Sequence, residues 1–446
     1  MRQINLLVAA LVLALLSGAV WWAKRHPESA ASATPAAATV KLVDIPQAQV
    51  QEIDLTKKDG STLAVKRENN KWAITSPDAL PTDQDAVNGI ASSLNPVTAD
   101  NVVEDKATDL SKYGLNAPSL TVTVHEKNGK SDAIYFGDDV PAGSLVYARA
   151  SSGLNSSAAK VYAVSSSTKT SFDKSTNDLR DKRLLTFNSN QLTRIELASG
   201  KSDIEFGKNN QNDWQILKPQ PYRADNFQVE ELLRKLTEAK MDLSGSADNA
   251  KKADVAYASG QPDGLAKATD GAGTQTLSVR KNKDDYYANS SVVKGSYKVS
   301  ADLGKEIEKP LEDFRNKKIF DFGFSDPAKI EVQQGASEKA YVRSGSDWKS
   351  NGQTMDAGSI QAFIDKLRDV SATKFVESGF TSPAITITVT SNDGKRIEKA
   401  DFAKTAEGYI ARRGNEPALY QLDGKAVNDI LDASKALKQA SLSSKK

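Results

Sequence analysis

Three stretches of this chain share one arrangement of apolar and polar positions. Two short runs of alternating character flank a polar turn, and the second run ends at a tryptophan. VQEIDLTKKDGSTLAVKRENNKWAI leads to Trp72, LTRIELASGKSDIEFGKNNQNDWQI to Trp214 and PAKIEVQQGASEKAYVRSGSDWKS to Trp348, 142 and then 134 residues apart. Alternation with period two around turn residues predicts β-hairpins. A spacing far beyond the roughly 20–50 residues of a solenoid unit marks a repeated domain rather than a repeated turn.

An amphipathic helix is predicted after each tryptophan. Val87, Ile90 and Leu94 share one face, with Asp83 or Asp85 to cap it. Val229, Leu232, Leu233 and Leu236 share the next, behind Asp225 or Asn226, and Ile360, Phe363, Ile364 and Leu367 the third, behind Asp356. Spacings of three and four residues place side chains on one helical face, and an Asp or Asn before them accepts from the orphan N–H groups of the first turn. Further strands follow. Leu120, Val122 and Val124 alternate before an Asn128-Gly129 turn, and Ile385, Ile387 and Val389 before an Asp393-Gly394 turn. The lead-ins also match, YGLNAPSLTVTV in one and SGFTSPAITITV in the other. Residues 244–274 of the middle copy lack period and read as an irregular insert or mobile loop. Two basic segments, Leu179–Phe187 and Phe314–Phe322, repeat at the boundaries and are expected to fix inter-domain angles.

The expected fold class is therefore α+β: three tandem repeats of a small, mainly antiparallel sheet-plus-helix domain behind one N-terminal transmembrane helix. The expected boundaries are an anchor at 1–23, a tether at 24–48, repeats at 49–187, 188–322 and 323–440, and a polar tail at 441–446. Ile4 to Ala23 carries no charge, and twenty helical residues at ~1.5 Å each match a hydrocarbon core. Trp21 and Trp22 suit the headgroup region, and Lys24 and Arg25 stop the span. A cleaved signal peptide with Ala31-Ser32-Ala33 as its site is the rival reading; the length of the apolar run favours the uncleaved anchor. An N-terminal span before a long polar chain points to a bacterial inner membrane, single-pass, with the bulk extracytoplasmic (periplasmic).

Composition narrows the chemistry. The 446 residues suit about three domains, and 59 Lys+Arg against 57 Asp+Glu leave a net charge of only +2. That balance argues against nucleic acid as a partner, because such surfaces are clearly basic. The chain has no cysteine and only two histidines, His26 and His125. Disulfide frameworks, thiolate metal sites and thiol nucleophiles are excluded. P-loop, Rossmann, nucleophile-elbow and zincin motifs are also missing.

The residues that could carry chemistry each have a plainer reading. Three recurring tryptophans could stack a ligand, but equivalent positions favour core anchors. Arg180, Lys182 and Arg183, with Arg315, Lys317 and Lys318, could meet lipid headgroups or an acidic partner, or be solvated linker charge paired with Asp181, Glu312 and Asp313. His125 beside Glu126 reads as a surface residue, and Asp138 and Asp139 lie in a turn context without an EF-hand loop. The S-x-x-K string at Ser166–Lys169 carries no weight in so serine-rich a chain. No catalytic, cofactor-binding or metal residue is assigned, and no cofactor is expected.

The Lys71-Trp72-Ala73-Ile74 opening, and Tyr113-Gly114-Leu115 through Pro118 to Val124, resemble bacterial membrane proteins catalogued as domain of unknown function 4340. The resemblance spans most of residues 49–430. It implies a role beside ABC-type transport systems of the gliding-motility-auxiliary kind, and it carries no catalytic residues. The expected function is a non-enzymatic, membrane-tethered envelope protein, an accessory or scaffold component of such a system, with a membrane protein complex as partner. A periplasmic carrier of lipid or other hydrophobic cargo is the alternative, and a cell-envelope hydrolase a second one.

Overall fold

The computed structural model describes residues 40–440, apart from 142, 153–158, 201, 211, 244–246, 324–326, 392–393 and 415. The expected anchor at 1–23, most of the tether, His26, the tail and Asp393 lie outside the described residues. Among those described, no helix is long and apolar enough to cross a membrane. The chain divides between Lys182 and Arg183 into two compact units.

The first unit is built on an eight-stranded antiparallel sheet. Its order is Lys71–Ser76, Thr62–Glu68, Val50–Lys57, Leu120–Glu126, Ser131–Asp139, Leu145–Ser152, Ala159–Ser165 and Asn101–Ala107. The first three strands form a meander. The chain then crosses one face as the helix Gln84–Ser92 and returns beside the strand on which it began. Asp83 caps that helix, accepting from the N–H groups of Asp85 and Ala86 at 3.1 Å each. Such a cap stabilises by about 1 kcal/mol. Alternation along the strands turns Ile53, Leu55, Val122, Val124, Ile134 and Phe136 toward Val87 and Ile90 of the helix, all at most 2% exposed. Each side chain so enclosed is worth roughly 1.5–3 kcal/mol relative to exposure.

The Tyr113-Gly114-Leu115 lead-in closes one end of this sheet. Gly114 adopts φ +67° at the end of a 3-10 turn, Leu110–Tyr113. A β-carbon at Gly137, on the strand beneath, would overlap the Tyr113 carbonyl oxygen. Glycine is required there because backbone lies directly on backbone.

The second unit holds two more antiparallel sheets of related order. The second sheet runs Tyr222–Arg223, Trp214–Lys218, Asp203–Lys208, Arg194–Ser199, Gln261–Asp270, Gly273–Asn282, Asp285–Ser290, Ser296–Val299. The third runs Gln353–Thr354, Asp347–Ser350, Ser337–Ser344, Lys329–Gln334, Ile385–Ser391, Arg396–Thr405, Gly408–Arg413, Leu419–Leu422, Lys374–Val376. The crossover helices are Asn226–Glu238, capped by Asp225, and Ala357–Asp369, capped by Asp356. Each sheet has its own apolar core. The architecture is α+β with antiparallel sheets.

The three tryptophans are core residues, 3%, 4% and 7% exposed. Trp72 Nε1 donates to Asn88 Oδ1 and Trp214 Nε1 to Glu230 Oε1, both at 2.9 Å and both one turn into the helix that follows. The ring thus ties the meander to its own crossover helix.

Three expectations are corrected. Residues 40–48 are not tether: Val40–Val43 pairs with Val97–Ala99, and Leu42, Val43 and Ile45 are buried in the first core. The stretch near 244–274 is not an irregular insert: Ala247–Ser259 is a helix and Gln261–Asp270 a full strand. The helix buries little besides Ala253, so its apolar period is faint in sequence. The boundaries at 187 and 322 fall too late. Leu184, Leu185 and Phe187 pack in the second core, and Ile319, Phe320 and Phe322 in the third.

Candidate functional site

The boundary segments are short bridging strands, and their backbone explains the repeated motif. In the first unit the Asp83 N–H donates to Leu179 O, and the Asp181 N–H to Pro81 O, both at 2.8 Å. In the second unit Asp225 N–H donates to Phe314 O at 2.8 Å and Asn316 N–H to Arg223 O at 3.0 Å. The same pair recurs at Asp356 N–H to Lys438 O and Ala440 N–H to Thr354 O. Each capping aspartate is therefore held by the segment that closes its own sheet. The third closure lacks the basic motif but keeps the bonds, because backbone makes them.

Inside the second unit the chain past each closure pairs again. Leu184 N–H donates to Ala239 O at 2.8 Å, just past the helix Asn226–Glu238. Ile319 N–H donates to Val370 O at 3.1 Å and Ala372 N–H to Lys317 O at 2.8 Å, just past Ala357–Asp369. Phe314 to Ile319 thus hydrogen-bonds backward to the second sheet and forward to the third.

Side chains converge on this junction. Arg223, on the short edge strand of the second sheet, puts Nε 2.6 Å from Glu416 Oε1 in the third and Nη1 3.7 Å from Asp321 Oδ2. Its Nη2 donates to the Lys318 carbonyl and, at 3.3 Å, to the Tyr420 hydroxyl. Arg413 lies between Glu416 (2.7 Å) and Glu398 (3.1 Å) and donates to the Ile319 carbonyl. Glu398 also accepts from the Asp321 N–H. Tyr420 donates its hydroxyl to Glu416. Most of these groups are buried or nearly so; Glu398 is only 3% exposed.

Electrostatics follow from the packing. Burial alone would push the Glu416 carboxyl up, but the guanidiniums of Arg223 and Arg413 overcome it and hold it below the ordinary carboxylate value. Burial pushes the Tyr420 phenol up to about 12, so it stays a neutral donor. Burial lowers the Arg315 guanidinium from its ordinary value. Among the described residues Arg315 makes no ion pair, and aromatic rings lie on it, Tyr222 at 4.0 Å and Phe375 at 3.5 Å. The negative faces of those rings stabilise a cation that water does not reach.

Beside the network, Glu398, Lys399, Asp401, Arg412, Arg413 and Glu416 line a polar cavity of about 600 Å³. Its three carboxylates each face a guanidinium: Asp401 accepts from Arg412 at 3.0 Å, and the other two from Arg413. Carboxylates each paired with a guanidinium brace the elements that carry them. No group of three or more His, Cys, Asp or Glu among the described residues is placed to hold a metal ion.

The residues weighed in sequence fall elsewhere or change character. Arg315 is 8% exposed and stacked, not solvated linker charge; Lys317 is half-buried and Lys318 exposed. His125 is half-exposed on the outer face of the first sheet, its Nε2 3.2 Å from Asp54 Oδ2. Asp138 and Asp139 end a strand. Arg223, Glu398, Arg413, Glu416 and Tyr420 lie outside the candidate residues of the sequence, and Asp321 lies within the Phe314–Phe322 boundary segment. They are scattered over 197 positions and meet only through the fold. The Arg412-Arg413 pair three residues before Glu416 was the one local signal.

The profile of the family described as Domain of unknown function (DUF4340) matches residues 72–215 and 214–386, two adjacent copies. No curated protein and no solved structure matches the chain.

Proposed function

We propose that this chain, which belongs to the domain of unknown function 4340 family, is a non-enzymatic, membrane-tethered envelope protein. In this reading it consists of three tandem copies of one α+β domain and serves as an accessory or scaffold component of an ABC-type transport system. The apolar segment Ile4–Ala23 is its anchor in a bacterial inner membrane, and the domains are periplasmic.

The observation that carries the reading is the junction between the second and third sheets. Its charged side chains are spent on holding two sheets in one arrangement, through a shared bridging strand and paired guanidiniums and carboxylates. A fixed arrangement suits a scaffold, since surfaces held at set spacing gain avidity from several weak contacts. The transporter as partner rests on the resemblance stated above.

The carrier alternative needs an open apolar cleft between helix and sheet. The side chains there are closely packed: Val229, Leu232 and Leu236 in the second core, and Phe363, Ile364 and Leu367 in the third, are all fully buried. That favours the scaffold reading. A hydrolase would need a nucleophile beside a base, and the sequence carries no nucleophile-elbow or zincin motif that would place them.

Two experiments test the proposal. Crosslinked affinity capture of the full chain from its native membranes should recover a membrane protein complex; recovery of the chain alone would sink the scaffold role. A fusion reporter placed after residue 40 should read as extracytoplasmic, and a cytoplasmic signal would overturn the location.

A further inference from the structure

The helix Ala247–Ser259 is where the second sheet departs most from the other two. It lies against the strands Gly273–Asn282, Asp285–Ser290 and Ser296–Val299. Polar bonds hold it there. Asn282 Nδ2 donates to Ala256 O at 2.8 Å and to Ser259 Oγ at 3.0 Å, and Arg280 Nη1 to Ala258 O at 3.2 Å. Asp254 Oδ1 accepts from the Ser296 N–H at 2.8 Å. Arg280 also stacks on Tyr257, 4.9 Å from the ring centre. The position of the helix is thus fixed, while its own apolar side chains remain largely outside.

Lys251, Val255 and Ser259 recur every four residues and so share one face. With Lys252, Ala256 and Asn282 they line an apolar-walled groove of about 390 Å³. Val255 is 68% exposed. Lys251 and Lys252 are both exposed, and neither has a carboxylate within ion-pair distance among the described residues. An exposed apolar side chain flanked by two exposed ammonium groups is complementary to an anionic chain that carries an apolar side chain.

We infer that this groove is a docking face for an acidic segment of a protein partner, with one apolar side chain of that segment seated over Val255 and its carboxylates on Lys251 and Lys252. A shallow, open depression the size of one or two side chains can take a peptide side chain. A membrane surface is met by protruding apolar residues spread along a helix, and here Val255 stands alone. The inference rests on the scaffold reading for the identity of the partner, but the face itself can be tested separately.

The test uses the full chain in detergent and a fluorescent peptide of about twelve residues, glutamates around one central leucine, read by polarisation. Binding should weaken about tenfold in Lys251→Glu/Lys252→Glu and on raising salt from about 0.05 to 0.5 M. It should also weaken in Val255→Asp and when the leucine is replaced by serine. Lys251→Ala/Lys252→Ala, checked by an unchanged melting curve, guards against misfolding and should show a smaller loss in the same direction. Equal binding by wild type and the lysine variants, or none by wild type, overturns the inference. So does a preference of wild type over variant for phosphatidylglycerol vesicles, without peptide binding. Peptide binding through this face by a chain that captures no membrane partner would keep the docking face and sink the scaffold reading. Capture unaffected by the lysine variants, with no peptide binding, would do the reverse.

Discussion

The guanidinium of Arg315 lies 3.5 Å from the ring centre of Phe375, although Arg315 closes the second sheet and Phe375 is on an edge strand of the third. Tyr222 covers it from another side. A buried cation with rings in place of a counter-ion is stable only while both sheets hold their places. Arg315→Met, which keeps the length but removes the charge, should cost about 1–2 kcal/mol through the lost cation–π contacts. Phe375→Ala should cost more, since packing goes with it. Chemical denaturation of the full chain, followed through the transition of residues 183–440, would measure both; an Arg315→Met variant as stable as wild type would remove the clamp.

Glu416 joins Arg223 to Arg413. Replacing it with alanine leaves poorly solvated Arg223 with only Asp321 at 3.7 Å and Arg413 with only Glu398 at 3.1 Å, and losses of this kind run up to about 3–5 kcal/mol. The pH dependence has a definite sign. The folded carboxyl titrates below its ordinary 4.5, so its contribution is fully present above about that pH and is lost as pH falls through the lowered folded value. Scanning calorimetry should show wild type losing more stability than Glu416→Gln as pH falls below about 4.5. Parallel curves would count against the assignment.

Tyr420 acts at the other end of the scale. Its phenol is pushed from 10.0 up to about 12 by burial. The raised value favours the protonated fold, so that stability is intact below pH ~10 and is lost as pH rises toward 12. Tyr420→Phe should lower the melting temperature at neutral pH, through the lost donor to Glu416, and should flatten the decline between pH 10 and 12. An unchanged alkaline decline would place its cause elsewhere.

The tryptophans give a third kind of test. Trp214→Ala should cost about 3–5 kcal/mol, as expected for a large core side chain. Trp214→Phe should cost much less, because Glu230 is exposed enough to hydrate once its donor is gone. A ligand-stacking role would instead leave the alanine variant's melting temperature near wild type.

The legible and illegible parts of this fold differ for physical reasons. Meander, crossover helix and tryptophan anchor could be read because each leaves a side-chain mark: alternation, four-residue spacing behind Asp83, Asp225 or Asp356, and one bulky ring. The bridging strand left only half a mark. Its basic residues stood out, but the bonds that define it are made by backbone, and Lys438 and Ala440 make them with no motif at all. Arg223 looked like any polar residue between two turns until the fold set it against Glu416. The helix Ala247–Ser259 escaped because polar bonds from Arg280 and Asn282, rather than a buried apolar face, hold it. Val40–Val43 escaped because four residues beside an alanine-rich run carry too little pattern.

Native mass spectrometry of the full chain, released gently from its own membranes, tests the scaffold role most directly, because one spectrum reads both partner and cargo. The result expected is a complex with a membrane protein of defined stoichiometry and no lipid mass held by the chain itself. A chain that flies alone, or alone with a bound lipid in fixed ratio, would contradict it.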